Sequence, residues 1–310
     1  ETVGRLSLAG IDPKAASEAE ARLNLGAVYT ALLTLTPEEC DLLTRENCLP
    51  ERMGRSERRL SALAHLDQQA RLVLLGDPGS GKSTFVNFTA LCLAGEALGC
   101  EDANLERLRE PLPKERDDDK DPEPQPWRHK TLLPVRVVLR DFAARGLPPA
   151  GQTADADTLW TFITAELGEA LAEFAPHLKR HLHEQGGLLL LDGLDEVPEA
   201  EQHREQIKQA VEGFTAAFPK CRILVTSRTY AYQQQAWRLA GFSEAVLAPF
   251  SRGQIERFVE RWYAHIAEVR HLHAADAQGR AELLKRAIFS SDRLQGLAAR
   301  PLLLTLMASL

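Results

Sequence analysis

Three stretches of this chain carry residue types whose order and spacing suit the handling of a nucleoside triphosphate. The first is Gly76-Asp77-Pro78-Gly79-Ser80-Gly81-Lys82-Ser83, which fits G-x-x-x-x-G-K-[ST] and is followed by Thr84. Gly76, Gly79 and Gly81 permit backbone conformations and a close approach that side chains block. The loop N–H groups and the start of the helix that follows then face phosphate as fixed positive dipoles. Lys82 supplies a full charge to the β and γ phosphates, and Ser83 offers a hydroxyl to Mg²⁺. These residues do not choose between ATP and GTP.

The second stretch is Leu188-Leu-Leu-Leu-Asp-Gly-Leu-Asp-Glu196. Asp192 follows four apolar residues, so it emerges at the C-terminal end of a buried strand, where ligands of open α/β sheets bind. A carboxylate there can hold the Mg²⁺ shell. Asp195 and Glu196 lie in the next turn, where a carboxylate can orient or deprotonate the attacking water. The third stretch, Arg222-Ile-Leu-Val-Thr-Ser-Arg228, is a strand whose end points to the same edge. Arg228 can contact a γ phosphate and report its presence.

Other polar clusters carry less. His177, His181 and His183 sit beside Lys179 and Arg180, which repel a cation, and His271 and His273 lie in a charged inter-helix stretch. No G-x-S-x-G supports Ser/His/Asp hydrolase chemistry. Five cysteines (Cys40, Cys48, Cys92, Cys100 and Cys221) without a C-x-x-C pair read as free thiols of a cytoplasmic protein.

The elements that position these residues follow from hydrophobic patterning. Arg71 to Leu75 is a buried strand, followed after the glycines by a helix from Ser83 to Leu93. Further strands are expected at Leu133 to Leu139, Leu188 to Leu191, Arg222 to Thr226 and Ala245 to Leu247. An amphipathic helix is expected over 158–174, with Leu159, Phe162, Ile163, Leu167, Leu171 and Phe174 on the sheet, and another around Ile207 to Phe214. Strands alternating with helices give a parallel five-stranded sheet with right-handed crossovers. From Ser251 the strands stop. Ile255, Phe258, Val259, Trp262 and Tyr263 form one helical face, Leu283, Leu284, Ala287 and Ile288 a second, and Leu294, Leu297 and Ala298 a third, which makes a small all-α subdomain. Arg22 to Leu35 reads as a strand entering a short helix, and residues 51 to 70 as a helix with Arg52, Arg55, Arg58 and Arg59 on a solvated face. The Pro-rich, charged stretch 110–130 reads as a solvated loop. The expected division is 1–50 as linker, 51–250 as nucleotide-binding domain and 251–310 as helical domain.

Composition limits the alternatives. The chain has 310 residues, 44% hydrophobic and 26% charged, with 37 Lys and Arg against 44 Asp and Glu and a net charge of −7. That balance argues against a protein that coats nucleic acid, and no apolar run reaches the length of a membrane span. The apolar C-terminal segment Pro301 to Leu310 and the missing initiator Met lead us to expect a fragment of a longer polypeptide.

In combination, GDPGSGKST, LLLLDGLDEV and ILVTSR, in that order, resemble the NACHT branch of the STAND nucleotide-switch ATPases. LPVRVVLRDF (Leu133 to Phe142) is similar to that family's second strand. Phe250 to Tyr263 and Leu297 to Met307 resemble its first helical domain, and Arg22 to Leu33 weakly resembles a segment preceding bacterial NACHT domains. The resemblance implies a three-layer P-loop NTPase fold followed by helices. It implies ATP or ADP with Mg²⁺ as ligands and Pro301 packed near the adenine. It further implies slow hydrolysis, a nucleotide-dependent hinge between the two bodies, and signalling by self-association in innate immune or anti-phage defence. A C-terminal sensor and an effector domain are its implied partners. The rival reading is a mechanical ATPase of the AAA+ kind, which shares the loop and the acidic strand; the DGxDE arrangement and Pro301 argue against it.

Overall fold

The computed structural model describes residues 5–7, 22–44, 59–115, 121–149, 151–198, 203–233 and 238–310. In chain order its strands are β1 (Arg5–Ser7), β2 (Arg22–Asn24), β3 (Arg71–Leu75), β4 (Pro134–Val138), β5 (Leu188–Asp192), β6 (Arg222–Ser227) and β7 (Ser243–Val246). Its helices are α1 (Leu25–Val28), α2 (Pro37–Thr44), α3 (Ala62–Gln68), α4 (Lys82–Leu98), α5 (Leu105–Leu108), α6 (Leu139–Arg145), α7 (Ala156–Glu166), α8 (Ala175–Glu184), α9 (His203–Ala217), α10 (Thr229–Gln233), α11 (Arg252–Arg270), α12 (Ala274–Phe289), α13 (Asp292–Ala298) and α14 (Pro301–Ser309). The chain divides into two compact units: Glu1–Leu63, Pro78–Trp127 and Leu247–Leu310 form one, Ala64–Asp77 and Arg128–Val246 the other.

The second unit holds the sheet, five parallel strands in the order β4-β5-β6-β3-β7. β6 lies between β3 and β5, so the strand leading into the glycine loop and the strand ending in Asp192 share a neighbour. Leu188 to Leu191 are all buried, as a run without alternation requires of a central strand. One face of the sheet (Val73, Leu75, Val137, Leu189, Leu191, Ile223 and Val225) packs with Phe142 of α6, Leu159, Phe162 and Ile163 of α7, Leu182 of α8, and Ile207, Val211 and Phe214 of α9 in one core.

The expected strand over 133–139 is shorter, because Leu139 already opens α6. The expected helix over 158–174 is two elements. Asp155 and Thr158 close a capping box at the start of α7, but Gly168, at φ 70°, ends the register, and a 3-10 turn over Glu169–Phe174 follows. Leu171 and Phe174, expected on the sheet, are therefore 53% and 51% exposed.

The first unit is built around α4 and α11. Ser251 and Gln254 form a capping box at the start of α11, which buries Ile255, Phe258, Val259 and Trp262 as its spacing predicts. On α12 the buried residues are Ala277, Ala281 and Ile288, while Leu283 is exposed; the stripe runs through small residues that were not expected to face inward. On α13, Ala298 is buried and Leu297 exposed. The stretch expected as linker is partly built in. Tyr29 stacks on Phe88 of α4 at 3.7 Å, Gln254 Nε2 donates to Ala31 O at 2.6 Å, and Ala248 N donates to Leu33 O at 2.8 Å. The solvated-loop reading of 110–130 needs the same correction. Arg257 donates to the Pro111 carbonyl, Arg261 pairs with Glu110, and Gln125 and Trp127 are buried. Arg59 pairs with Glu39 at 2.6 Å, whereas Arg52, Arg55, Arg58 and Cys48 lie outside the described residues.

Candidate functional site

In the second unit, β3 ends at Leu75, paired in register with Ser227 of β6, and Gly76 N donates to Ser227 O at 3.3 Å. The glycine loop thus leaves the sheet beside the end of β6. Leu191 pairs with Val225, so the next residues along, Asp192 and Thr226, are neighbours on the same face. Thr226 Oγ1 donates to Asp192 Oδ1 at 2.6 Å and accepts from Gly193 N–H at 2.9 Å. Gly193 sits at φ 84°, a left-handed conformation that turns its amide back onto β6. Arg136 of β4 approaches Asp192 Oδ2 to 3.7 Å. Asp192 and Thr226 are both buried.

Beyond β5 the chain makes a 3-10 turn over Leu194–Glu196, and its two acids part company. Asp195 accepts from Arg228 N–H through Oδ1 at 2.9 Å, and its Oδ2 lies 2.8 Å from Arg228 Nε; its side chain is 6% exposed. The Glu196 side chain is 47% exposed, and its nearest described cation is Arg140 at 3.8 Å. The cluster is therefore three acids, each facing its own arginine.

In the first unit, Gly79 and Gly81 have φ values of 76° and 94°, and α4 starts at Lys82. The N–H groups at the start of a helix are the ones an anion takes up, and here that first turn holds Ser83 and Thr84. Lys82 Nζ lies 3.5 Å from Ser80 Oγ. Leu302 N donates to Gly79 O at 3.2 Å, and a Cβ on Gly79 would stand 2.8 Å from that of Leu302. A Cβ on Gly81 would meet Leu32 at 3.5 Å and Pro301 at 4.0 Å. Pro301, at the start of α14, thus lies beside the loop.

Of the residues singled out from the sequence, Gly76, Asp77, Asp192, Asp195, Glu196 and Arg228 belong to the second unit, and Pro78, Gly79, Ser80, Gly81, Lys82, Ser83, Thr84 and Pro301 to the first. Thr226, Arg136 and Leu302 were missed. Thr226 and Arg136 stand out as polar positions in apolar strands, but only the strand order and register put them on the face of Asp192. Among the described residues no group of three or more His, Cys, Asp or Glu forms a ready-made metal cage. A buried carboxylate and a hydroxyl after a glycine loop instead fit Mg²⁺, which is bound by one or two protein oxygens together with substrate phosphates.

A parallel five-stranded α/β sheet with a G-x-x-x-x-G-K-S loop after one strand and an acidic end two strands away defines a P-loop nucleoside triphosphatase fold followed by helices. The family model of the NACHT domain matches residues 70–266, so the chain belongs to the NACHT family and is a nucleotide-binding NTPase module. No curated protein matches it. Among the described residues no helix is long and apolar enough to cross a membrane.

Proposed function

We propose that this chain is the regulatory ATPase module of a STAND-type signalling protein, a switch that binds ATP or ADP with Mg²⁺ and hydrolyses ATP slowly. One observation carries this reading: the Asp192 carboxylate is fixed at the sheet edge from which the glycine loop departs, with β6 as the common neighbour. Bound Mg²⁺ supplies charge neutralisation of the phosphates. Lys82 and the loop amides bind the phosphates. Ser83 and Asp192 hold the metal shell, and Pro301 contacts the base. Glu196, with its exposed carboxylate, takes the proton of the attacking water. Arg228 reads the γ phosphate. Family membership supports a role in signalling by self-association, in immune or anti-phage defence, in the cytoplasm.

The test is equilibrium binding of ATP and ADP with Mg²⁺, together with mass identification of the nucleotide that copurifies. We expect binding by the wild type and a loss of at least about 100-fold in Lys82→Ala, as removal of the charge that meets the phosphates implies. A folded sample that takes up no purine nucleotide, or a Lys82→Ala variant of unchanged affinity, refutes the reading. Turnover of minutes or longer is expected; none at all would make the module a nucleotide-stabilised scaffold.

A further inference from the structure

We propose that Asp195 is a positioning residue that clasps Arg228 at two points and aims it at the γ phosphate, so that the Asp195–Arg228 pair, and not the arginine alone, distinguishes triphosphate from diphosphate. The inference rests on the nucleotide reading above and deepens it. The motif alone offers both Glu196 and, next in line, Asp195 as the base that activates water. Their surroundings separate them.

Both Asp195 oxygens are engaged by one residue. Oδ1 takes the Arg228 backbone N–H at 2.9 Å, and Oδ2 lies 2.8 Å from Nε. At 6% exposure the carboxylate has little room for a water to activate. A general base needs its acceptor within hydrogen-bond reach of that water, and Glu196, 47% exposed, meets the condition. The clasp also constrains Arg228. A backbone hydrogen bond fixes the residue at the end of β6, and the ion pair that brings Oδ2 to 2.8 Å of Nε holds the inner edge of a rigid guanidinium. Among the described residues neither terminal nitrogen of Arg228 has a hydrogen-bond partner, and the side chain is 52% exposed. The fork that binds phosphate bidentately is therefore presented outward while the Nε edge is held.

The pairing has an electrostatic consequence. The carboxylate balances the arginine's charge, so the pair offers no net attraction to a diphosphate at a distance. Discrimination then depends on direct hydrogen bonds to an oxygen that only the triphosphate places within reach, and such bonds need the clasp's geometry.

The experiment measures equilibrium affinities, with Mg²⁺, of ADP and of an ATP analogue with a non-hydrolysable β–γ bridge, on the wild type, Asp195→Asn, Asp195→Ser, Arg228→Ala and the double variant Asp195→Asn/Arg228→Ala. Thermal unfolding confirms that each variant is folded; the serine variant, which still accepts a backbone N–H, stands in if the asparagine variant is not. The quantity read is the ratio of the two affinities, which general loosening of the fold leaves unmoved. We expect Arg228→Ala to lower the ratio about tenfold, Asp195→Asn to lower it several-fold, and the double variant to match Arg228→Ala, because Asp195 acts through the arginine. A wild-type ratio in Asp195→Asn, additive effects in the double variant, or an unchanged ratio in Arg228→Ala each overturns the proposal. Failure of the wild type to bind either nucleotide overturns the nucleotide reading as well, and is told apart by that.

Discussion

Thr226 Oγ1 donates its only proton to Asp192 Oδ1 at 2.6 Å while accepting from Gly193 N–H at 2.9 Å, so the hydroxyl is committed in both directions and one carboxylate oxygen is fixed by it. Oδ2 lies 3.7 Å from the Arg136 guanidinium. Thr226→Val keeps the shape and removes the bond. A hydrogen bond to a charged group is worth about 1.5–3 kcal/mol, so the Mg²⁺-dependent part of nucleotide affinity should fall roughly 10- to 100-fold. Binding measured in EDTA should be unchanged, and Thr226→Ser should restore the wild-type value. A valine variant with the wild-type Mg²⁺ dependence would show that the bond positions nothing the metal uses.

Glu196 and Asp195 are adjacent in sequence and differ in environment, and that difference predicts separate phenotypes. Glu196→Gln removes an exposed carboxylate whose ion pair, with Arg140, is long at 3.8 Å. Nucleotide affinity should stay within about twofold. Single-turnover hydrolysis should slow by about 100-fold or more, the usual contribution of a positioned base. Wild-type turnover in this variant would take the base role away from Glu196.

The chemistry-bearing residues were legible where local sequence decides local structure. The glycine loop and Asp192 each end an apolar run, and such runs become central strands whatever their neighbours are. The partners of those residues were not legible. The Thr226–Asp192 bond depends on β6 lying beside β5 in a register that puts both side chains on one face, and strand order is a long-range property. The same holds for the charged stretch after α5. Its composition is that of a solvated loop, yet its order comes from Arg257 and Arg261 on α11, far along the chain. Gly168 shows the opposite failure, a local break outvoted by six apolar residues at helical spacing.

Two glycine substitutions should differ in sign. Gly79 has φ 76°, and a Cβ there would stand 2.8 Å from that of Leu302. Gly79→Ala should cost about 1–2 kcal/mol from the left-handed backbone alone, with the steric conflict adding to it, and nucleotide affinity should fall with it. Gly279 lies within α12, with nothing within 4 Å of its would-be Cβ. Gly279→Ala should stabilise by about 0.5–1 kcal/mol through helix propensity. Thermal unfolding of the two variants reads both; equal shifts would mean that neither position is under the constraint its backbone shows.

Asp67 supplies a pH dependence whose sign can be worked out. Its Oδ1 accepts from Arg128 N–H at 2.6 Å, and its Oδ2 from Arg128 Nε at 2.8 Å. Burial alone would raise its pKa, but these bonds, the Arg128 charge and His129 hold it below the ordinary aspartate value. A carboxylate whose folded-state pKa is depressed stabilises the fold fully above its unfolded value and loses that contribution as pH falls through the folded one. At pH 7 Asp67→Asn should therefore be less stable than the wild type by about 2 kcal/mol, the scale of a lost charge-assisted bond in a buried setting. The gap should close as the pH drops below about 4, the ordinary range for an unfolded aspartate. Urea unfolding of both proteins at pH 7, 5 and 3.5 measures this directly. A gap that stays constant across the three, or one that is absent at pH 7, would mean that the carboxylate's charge does not hold Arg128 against the end of α3.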